Sequence, residues 1–134
     1  MGIIFDTTAI ITIERSHESL DALIAGRGEE LFGISIITTA ELLHGVERAD
    51  TEEKKLRRLA FVEKVIEFFP VFPFDLTVSR IYAHIWAAIG RKGWTVGAHD
   101  LIIAATAISR DYAIATANIR DFEKIPGLKI ETLP

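Results

Sequence analysis

The stretch AHDLIIAATAISRDYAIATANIRD, residues 98–121, decides the fold class. Its first part, Ala98–Arg110, is strongly apolar and long enough for a helix that is buried over most of its surface. Shortly after it, Ala113–Thr116 (AIAT) is a short apolar run of the kind that forms a strand covered on both faces. A buried helix that leads into a buried strand is typical of an α/β protein with a parallel sheet.

The same alternation of apolar runs and helical segments extends over the rest of the chain. Further strands are predicted at Gly2–Phe5, Phe32–Ile37, Val71–Phe74 and Leu128–Ile130. The helices predicted between them are Thr8–Glu14, Ser19–Ala25, Thr38–Ala49, Thr51–Phe69 and a segment from Leu76 to near Gly90. The sequence therefore predicts one domain over residues 1–134, an α/β/α sandwich with a mainly parallel central sheet of about five strands.

The composition excludes several classes of protein. The chain has 134 residues, of which 49% are hydrophobic and 25% charged, as in ordinary globular domains. It has no cysteine, which excludes disulfides, zinc–thiolate sites and iron–sulfur clusters. Because no apolar run approaches the ~18 residues of a membrane helix and the N-terminus lacks a signal-peptide pattern, we expect a cytoplasmic protein without a membrane partner.

The net charge of −4 argues at first against a nucleic-acid partner, because phosphate binders are usually basic. The charge is uneven, however. Residues 1–90 have 9 basic and 14 acidic side chains, whereas residues 91–134 have 6 and 5. Within this less acidic third, Arg91, Lys92 and Arg120 flank segments that we expect near the functional site, which makes them candidates for phosphate contacts.

Acidic and polar side chains follow three of the predicted strands. Asp6 directly follows the first strand, Glu41 lies one helical turn past the second, and Asn118 and Asp121 follow the fourth. Asp100 lies in the first turn of the helix that begins at Ala98. Because sites in parallel sheets form at the carboxyl ends of the strands, we expect these side chains to converge. Clustered carboxylates resist ionisation unless a cation lies between them, and oxygen ligands favour Mg²⁺ or Mn²⁺ over zinc.

The same residues also fit the starts of helices, where no metal is needed. Asp6 or Thr7 can cap the first helix, and Thr38–Glu41 (TTAE) matches the capping box S/T-x-x-E. Asp100 complements the dipole of its helix, and Asn118 can cap the turn that follows it. The residues alone leave the capping and the metal-binding interpretations open.

Four segments of the chain correspond to a known family. They are IIFDTTAII (residues 3–11), ISIITTAELLHGVERA (34–49), GAHDLIIAATAISRDYAIATANIRDF (97–122) and PGLKIETLP (126–134). In this order and spacing, which cover nearly the full length, they resemble the PIN-domain ribonucleases, specifically the VapC-type toxins of toxin–antitoxin pairs. The resemblance implies a Mg²⁺- or Mn²⁺-dependent endoribonuclease that hydrolyses RNA, is inhibited by a cognate antitoxin and forms a homodimer.

The resemblance also implies roles for individual residues. Asp6, Glu41 and Asp100 correspond to metal-binding carboxylates of the catalytic site. Family members place the last acidic position at Asn118 or at Asp121. Since this chain has an amide at the first and a carboxylate at the second, we expect Asp121 to be the fourth metal ligand.

Three threonines complete the expected site. The resemblance makes Thr116 and Asn118 polar neighbours of the catalytic carboxylates, and we expect Thr7 and Thr8 to contact substrate. Thr8 stands where the family more commonly has Asn or Ser. A hydroxyl at this position can still form a hydrogen bond to a carboxylate or to substrate, so we treat the departure as minor.

Two other functions remain open. A catalytically inactive PIN-like subunit that acts in DNA or protein binding would share the acidic edge, and the amide of Asn118 is its best support. A receiver domain with a phosphorylated aspartate also gathers acidic residues at strand ends. It needs that aspartate after the third strand, where Asp75 follows only after the interruption at Pro73.

Aromatic residues point to contacts beyond the core. Phe68, Phe69, Phe72 and Phe74 exceed what one helix face and a short strand can bury, which predicts a partner surface for a dimer, an antitoxin or both. Trp94 lies between Gly93 and Thr95 in a predicted loop. It can stack on a base or pack over the edge of the sheet.

Overall fold

Short apolar strands alternate with helices along the chain. The structure, a computed structural model, describes residues 2–16, 20–25 and 30–132. The elements within these ranges are β1 (Gly2–Phe5), α1 (Thr7–Arg15), α2 (Leu20–Ala25), β2 (Leu31–Ser35), α3 (Ile36–Glu47), α4 (Glu52–Phe68), β3 (Val71–Phe72), α5 (Leu76–Arg91), α6 (Ala98–Ser109), β4 (Ala113–Thr116), α7 (Ile119–Phe122) and β5 (Ile130–Thr132).

The five strands form one parallel sheet in the order β3-β2-β1-β4-β5. The predicted α/β fold with a parallel sheet of five strands is therefore confirmed. The direction in which the sheet grows reverses between β1 and β4, and parallel sheets bind ligands beside the carboxyl ends of strands at such a switch point. The order differs from the 2-1-3-4-5 arrangement of receiver domains, so that interpretation is wrong.

Side chains of the central strand alternate between two cores. Ile3 and Phe5 pack against α1, α2, α3 and α4, whereas Ile4 packs against α5 and α6 on the opposite face of the sheet. Every residue from Leu101 to Ala107 in α6 is buried. The chain is thus a three-layer sandwich of helices, sheet and helices. Among the helices for which the burial of every residue is described, α6 is the most completely buried.

The boundary between β2 and α3 differs from the prediction. The strand ends at Ser35, whose Oγ accepts a hydrogen bond from the Ile37 N–H at 3.1 Å and so caps α3. Ile36 and Ile37 are therefore helical rather than extended. The predicted capping box at Thr38 is wrong because Thr38 lies inside the helix, where its buried hydroxyl has no hydrogen-bond partner within the described ranges.

The two edge strands are also displaced from their predicted positions. β3 ends at Phe72 rather than at Phe74, because Pro73 has no N–H with which to continue the ladder. β5 begins at Ile130 rather than at Leu128, since its register pairs Ile130 with Ile114 of β4. The register of its pairing with β4, which local sequence does not encode, sets this boundary.

Two glycines in the sheet allow aromatic rings to lie directly against its backbone. A Cβ atom at Gly33 would lie 2.2 Å from Phe72 Cε2, and one at Gly2 would lie 2.4 Å from Tyr112 Cζ. The two rings meet edge to face at 6.0 Å between centroids, and the Arg110 guanidinium lies 3.7 Å from the Phe72 centroid. A side chain at either glycine would displace this aromatic pair.

The four phenylalanines expected to form a partner surface separate into two groups. Phe69 belongs to the core, 5.5 Å from Phe5 between ring centroids, and Phe72 is half-buried against Tyr112. Phe68 and Phe74 are exposed. Two of the four phenylalanines, Phe68 and Phe74, are therefore left for a partner surface. Within the described ranges, no helix has the length and apolar character needed to cross a membrane.

Candidate active site

Asp6 lies at the switch point of the sheet. Its backbone N–H donates to the Ala115 carbonyl at 3.1 Å, which fixes the end of β1 against β4. The residue is only 2% exposed. Its Oδ1 accepts hydrogen bonds from Thr8 Oγ1 and from the Ala9 N–H, both at 2.8 Å, and its Oδ2 accepts one from Thr116 Oγ1 at 2.5 Å. Asp6 therefore caps α1 and also faces β4.

Threonine hydroxyls connect the start of α1 to the loop after β4. Thr8 Oγ1 accepts from the Ala117 N–H at 3.0 Å and lies 3.3 Å from Thr116 Oγ1. Thr116 Oγ1 in turn accepts from the Asn118 N–H at 2.8 Å. The expectation that the Thr8 hydroxyl can bond a carboxylate is confirmed, because it donates to Asp6.

Glu41 is held between two neighbouring helices. The Thr7 hydroxyl of α1 donates to Glu41 Oε1 at 2.6 Å, and His99 Nδ1 of α6 lies 3.5 Å from Oε2. Thr7 thus forms a hydrogen bond with a carboxylate of the site. Sequence reasoning missed the contact of His99 with Glu41, for which its position directly before Asp100 was the only signal.

Asp100 lies half-buried in the first turn of α6. The N-cap residue of this helix, Gly97, makes no side-chain cap hydrogen bond. Burial, and then the negative charges of Asp6, Glu41 and Asp121, raise the pKa of Asp100 from 3.8 to about 6. Within the described ranges, no group donates a hydrogen bond to its carboxylate.

The charges of the four carboxylates act on one another because the fold brings them together. The pKa of Asp6 is also raised. Burial is the main cause, the nearby charge of Glu41 adds to it, and the hydrogen bonds from Thr116, Ala9 and Thr8 oppose it. The predicted convergence of Asp6, Glu41, Asp100 and Asp121 at one edge of the sheet is therefore present.

Asn118 and Asp121 form a pair in the fourth position. Asn118 Nδ2 donates to Asp121 Oδ2 at 3.1 Å, and Lys124 Nζ lies 3.5 Å from Oδ1. Asn118 precedes α7 but makes no side-chain cap hydrogen bond, so its predicted capping role is wrong. Its amide instead orients the carboxylate that follows one turn later.

The donors gathered here are oxygens, which suit a hard divalent cation. The Asp6 carboxylate accepts three hydrogen bonds and retains about one lone-pair position, while Asp100 retains all of its own. In the part of the chain that the structure describes, no three His, Asp or Glu side chains form a ready-made metal-binding group.

The predicted phosphate-binding side chains lie on the surface. Arg91 at the end of α5 and Arg120 in α7 are exposed, and neither forms a hydrogen bond or ion pair with any described residue. Lys92 Nζ lies 4.7 Å from the centroid of the Trp94 ring. No hydrogen bond or ion pair joins these three cations to the four described carboxylates, so they remain available to a ligand.

A groove of about 450 Å³ runs between α1, α3 and α4. Apolar side chains line part of it: Ile11, Leu42, Phe61 and Val62. Arg15, Arg48 and Glu41 lie along it as well. Since Glu41 lines the groove and is itself one of the four carboxylates, a ligand in the groove reaches the edge of the acidic site.

Comparison with known proteins places this geometry in a family. The PIN domain matches residues 3–128. The chain belongs to the PIN domain family. Ribonuclease VapC1 of Rickettsia felis is 39% identical over 133 residues, which cover 99% of this chain and 97% of that protein. The predicted resemblance to VapC ribonucleases is thus confirmed.

Two further proteins are similar to this chain. The tRNA(fMet)-specific endonuclease VapC of Salmonella typhimurium is 41% identical over 98 residues, which cover 73% of this chain and 72% of that protein. The crystal structure of DNA-bound VapBC from Salmonella typhimurium matches with a TM-score of 0.85 and 34% identity over 98% of each chain.

Proposed function

We propose that this PIN domain is an endoribonuclease that hydrolyses RNA phosphodiester bonds with Mg²⁺ or Mn²⁺ bound by Asp6, Glu41, Asp100 and Asp121. The observation that carries the proposal is the convergence of four carboxylates, three of which raise the pKa of Asp100. Membership among the VapC ribonucleases supports RNA as the substrate. Ion pairs do not explain the place of Asp100 in this cluster, because among the described residues none forms a hydrogen bond or ion pair with its carboxylate and the one opposing charge that acts on it is that of the adjacent His99.

A divalent ion at this site would lower the pKa of an attacking water and stabilise the leaving oxygen of the phosphodiester. Asp100 offers two oxygens that accept no hydrogen bond from a described residue. Glu41 and Asp121 each have one oxygen fixed, by Thr7 and Asn118 respectively. Such hydrogen bonds from neighbouring side chains orient ligands and raise metal affinity.

The threonines position the carboxylates. Thr8 and Thr116 hold the two oxygens of Asp6 in place, so that its remaining lone pair has a fixed direction. Thr7 does the same for Glu41. Substrate contacts of Thr7 and Thr8 through their other sides remain predictions, as do phosphate contacts of Arg91, Lys92 and Arg120.

The test is cleavage of RNA by the purified chain without antitoxin. We expect cleavage of bacterial tRNA, including the initiator tRNA(fMet), in Mg²⁺ or Mn²⁺ and none in EDTA. Asp100→Asn should abolish it. Asp111→Asn is the matched control, since Asp111 is exposed and its φ of 55° is one that Asn tolerates. Cleavage that persists in EDTA or in Asp100→Asn would contradict the proposal.

The alternative of an inactive subunit rests on the amide of Asn118. The contact of this amide with Asp121 gives it a place within an intact acidic site, so the structure offers nothing specific in its favour. Absence of both RNA cleavage and a Mn²⁺-induced rise in melting temperature would favour the inactive alternative.

We propose further that a cognate antitoxin inhibits the enzyme by occupying the groove between α1, α3 and α4. The VapBC likeness supports such a partner, and the apolar lining suits an amphipathic segment that brings a cation to Glu41. Phe61→Lys should weaken antitoxin binding and leave RNA cleavage unchanged. Leu56→Lys is the control, because Leu56 is exposed on α4 but does not line the groove.

We also propose that the enzyme is a cytoplasmic homodimer that associates through the exposed face of α5. Tyr82 stacks on Trp86 at 5.5 Å between centroids and meets Phe74 edge to face at 5.7 Å. Trp86 remains 59% exposed and Leu76 67%. An apolar face of this kind marks an association site. Light scattering should give a dimer mass for the wild type and a monomer mass for Trp86→Lys, whereas a dimer in both would exclude this face.

A further inference from the structure

The loop between α5 and α6 presents an exposed tryptophan on an ordered backbone. Trp94 is 43% exposed, although its backbone N–H donates a hydrogen bond to the Ile89 carbonyl at 3.2 Å. Gly93, two residues after the end of α5, has a φ of 73°, a conformation that glycine adopts without strain. Val96, two residues later, is buried in the core. The loop is therefore fixed by its backbone and by Val96, and it holds a large part of the indole ring in solvent.

The surroundings of this ring differ from those of the other tryptophan. Trp86 stacks on Tyr82, whereas Trp94 has no aromatic neighbour among the described residues. Its ring contact is with Lys92, whose Nζ lies 4.7 Å from the ring centroid. One face of the indole thus has a cation over it, and the 43% exposure of the residue leaves surface on which another flat group can lie.

The loop also leads directly to the acidic site. Trp94 and Asp100 are six positions apart in the chain, which limits their Cα separation to about 20 Å. His99, between them, contacts Glu41. Arg91 lies at the other side of the loop and forms no ion pair with a described residue. An aromatic ring next to cations is the combination with which proteins bind unpaired bases and the phosphates that join them.

We propose that Trp94 stacks on an unpaired base of the RNA near the scissile phosphate, with Lys92 and Arg91 contacting the flanking phosphates. Residues 91–97 are then a specificity-determining loop of the enzyme. This inference rests on the proposed ribonuclease function. RNA is favoured over a protein partner because the ring is accompanied by two cations in an otherwise acidic chain, so the local charge complements phosphate.

Steady-state cleavage of tRNA by three variants tests the stacking. Trp94→Ala should raise KM roughly 5- to 150-fold, the range for loss of one stacked base, and leave kcat unchanged because stacking stabilises ground and transition states alike. Trp94→Phe should retain most of the affinity, and Trp94→Leu should not. Leu56→Ala, at an exposed apolar residue of α4, is the control and should behave as wild type.

Several results would overturn the inference. If Trp94→Leu and Trp94→Phe restore KM equally, the ring acts through apolar packing rather than stacking. If Trp94→Ala has a lowered melting temperature, the ring serves to stabilise the fold. A changed oligomeric mass or antitoxin affinity with wild-type KM would assign it to a protein interface. If the wild type cleaves RNA and Trp94→Ala has the same KM as the wild type, only the stacking proposal is refuted. If the wild type does not cleave RNA, the ribonuclease proposal is refuted.

A binding measurement keeps the two proposals separable. In the Trp86→Phe/Asp100→Asn double variant, Trp94 is the only tryptophan and cleavage is blocked. Titration with a short unstructured oligoribonucleotide in Mg²⁺ should quench its fluorescence as the base stacks. Binding detected by anisotropy of a labelled oligonucleotide without quenching would exclude Trp94 from the contact.

Discussion

Replacement of Asp100 by asparagine should stabilise the metal-free protein while it abolishes activity. The pKa of Asp100 rises from 3.8 to about 6 on folding. At 1.36 kcal/mol per unit, a fully buried group would cost about 3 kcal/mol at neutral pH. Because the carboxylate is half-buried, solvent screening reduces this cost to about 1–2 kcal/mol. Loss of a favourable interaction with the α6 dipole subtracts roughly 0.5 kcal/mol, which leaves a net gain of about 1 kcal/mol.

The gain should depend on pH in a defined direction. Between the unfolded pKa of 3.8 and the folded pKa of about 6, the folded state binds more protons than the unfolded state, so stability falls as pH rises through this window. Below about pH 4 the carboxyl is protonated in both states and Asp100→Asn should match wild type. The difference should grow from pH 4 and reach its full size near pH 7.

Thermal unfolding in EDTA measures this difference. For a chain of this length, about 1 kcal/mol corresponds to a rise in melting temperature of roughly 3–5 °C at pH 7.5. Glu52→Gln is the matched control, because Glu52 is an exposed carboxylate in the first turn of α4 and its removal tests the dipole alone. Addition of Mn²⁺ should raise the melting temperature of wild type but not that of Asp100→Asn. A destabilised Asp100→Asn, or a difference that does not change between pH 4 and pH 7.5, would refute the reasoning.

Three further predictions concern the residues around the site and the sheet. Asp6→Asn should unfold within about 1 kcal/mol of wild type because the amide can still cap α1, whereas Asp6→Ala should lose about 1–2 kcal/mol in urea unfolding, and neither should cleave RNA. Gly33→Ala should lower the free energy of unfolding by about 1–3 kcal/mol because its Cβ would overlap Phe72. Gly45→Ala, with open space around it in α3, should raise the free energy of unfolding by up to about 1 kcal/mol. Calorimetry of both variants distinguishes steric overlap from helix propensity. Thr7→Val should weaken Mn²⁺ binding in calorimetric titration by roughly 10-fold or more through release of its carboxylate partner, and Thr7→Ser should restore it; equal affinities would show that the hydrogen bond has no role.

Much of the fold follows from local sequence. The strands Gly2–Phe5 and Ala113–Thr116 have the bounds that their apolar runs predict, and the helix at Ala98 begins where expected. The boundary between β2 and α3 failed because a polar residue competed with the apolar pattern. Ser35 caps α3 and so makes Ile36 helical, although an apolar run through Ile37 reads as strand. The Ser35 side chain decides this boundary, although the apolar pattern predicts a strand, because it accepts a hydrogen bond from an otherwise unpaired N–H at the start of α3.

The acidic site was predicted in its members but not in its connections. The positions of Asp6, Glu41 and Asp100 after strands or at a helix start were enough to expect their convergence. The sequence posed capping and metal binding as alternatives, whereas Asp6 uses one oxygen to cap α1 and turns the other towards Thr116. Likewise, Asn118 and Asp121 were rival candidates for one role, and in the fold the amide of the first orients the carboxylate of the second.

The sequence by itself determined the α/β class, the parallel sheet and the set of carboxylates, because hydrophobic periodicity and the ends of apolar runs are local properties. Only the tertiary structure decided the strand order, the switch point between β1 and β4, and the hydrogen bonds that join Thr7 to Glu41 and Thr116 to Asp6. These contacts link residues 34 and 110 positions apart in the chain. Their formation depends on how strands and helices pack, and the raised pKa values of Asp6 and Asp100 that mark the site exist only once packing has buried these groups and brought the charges together.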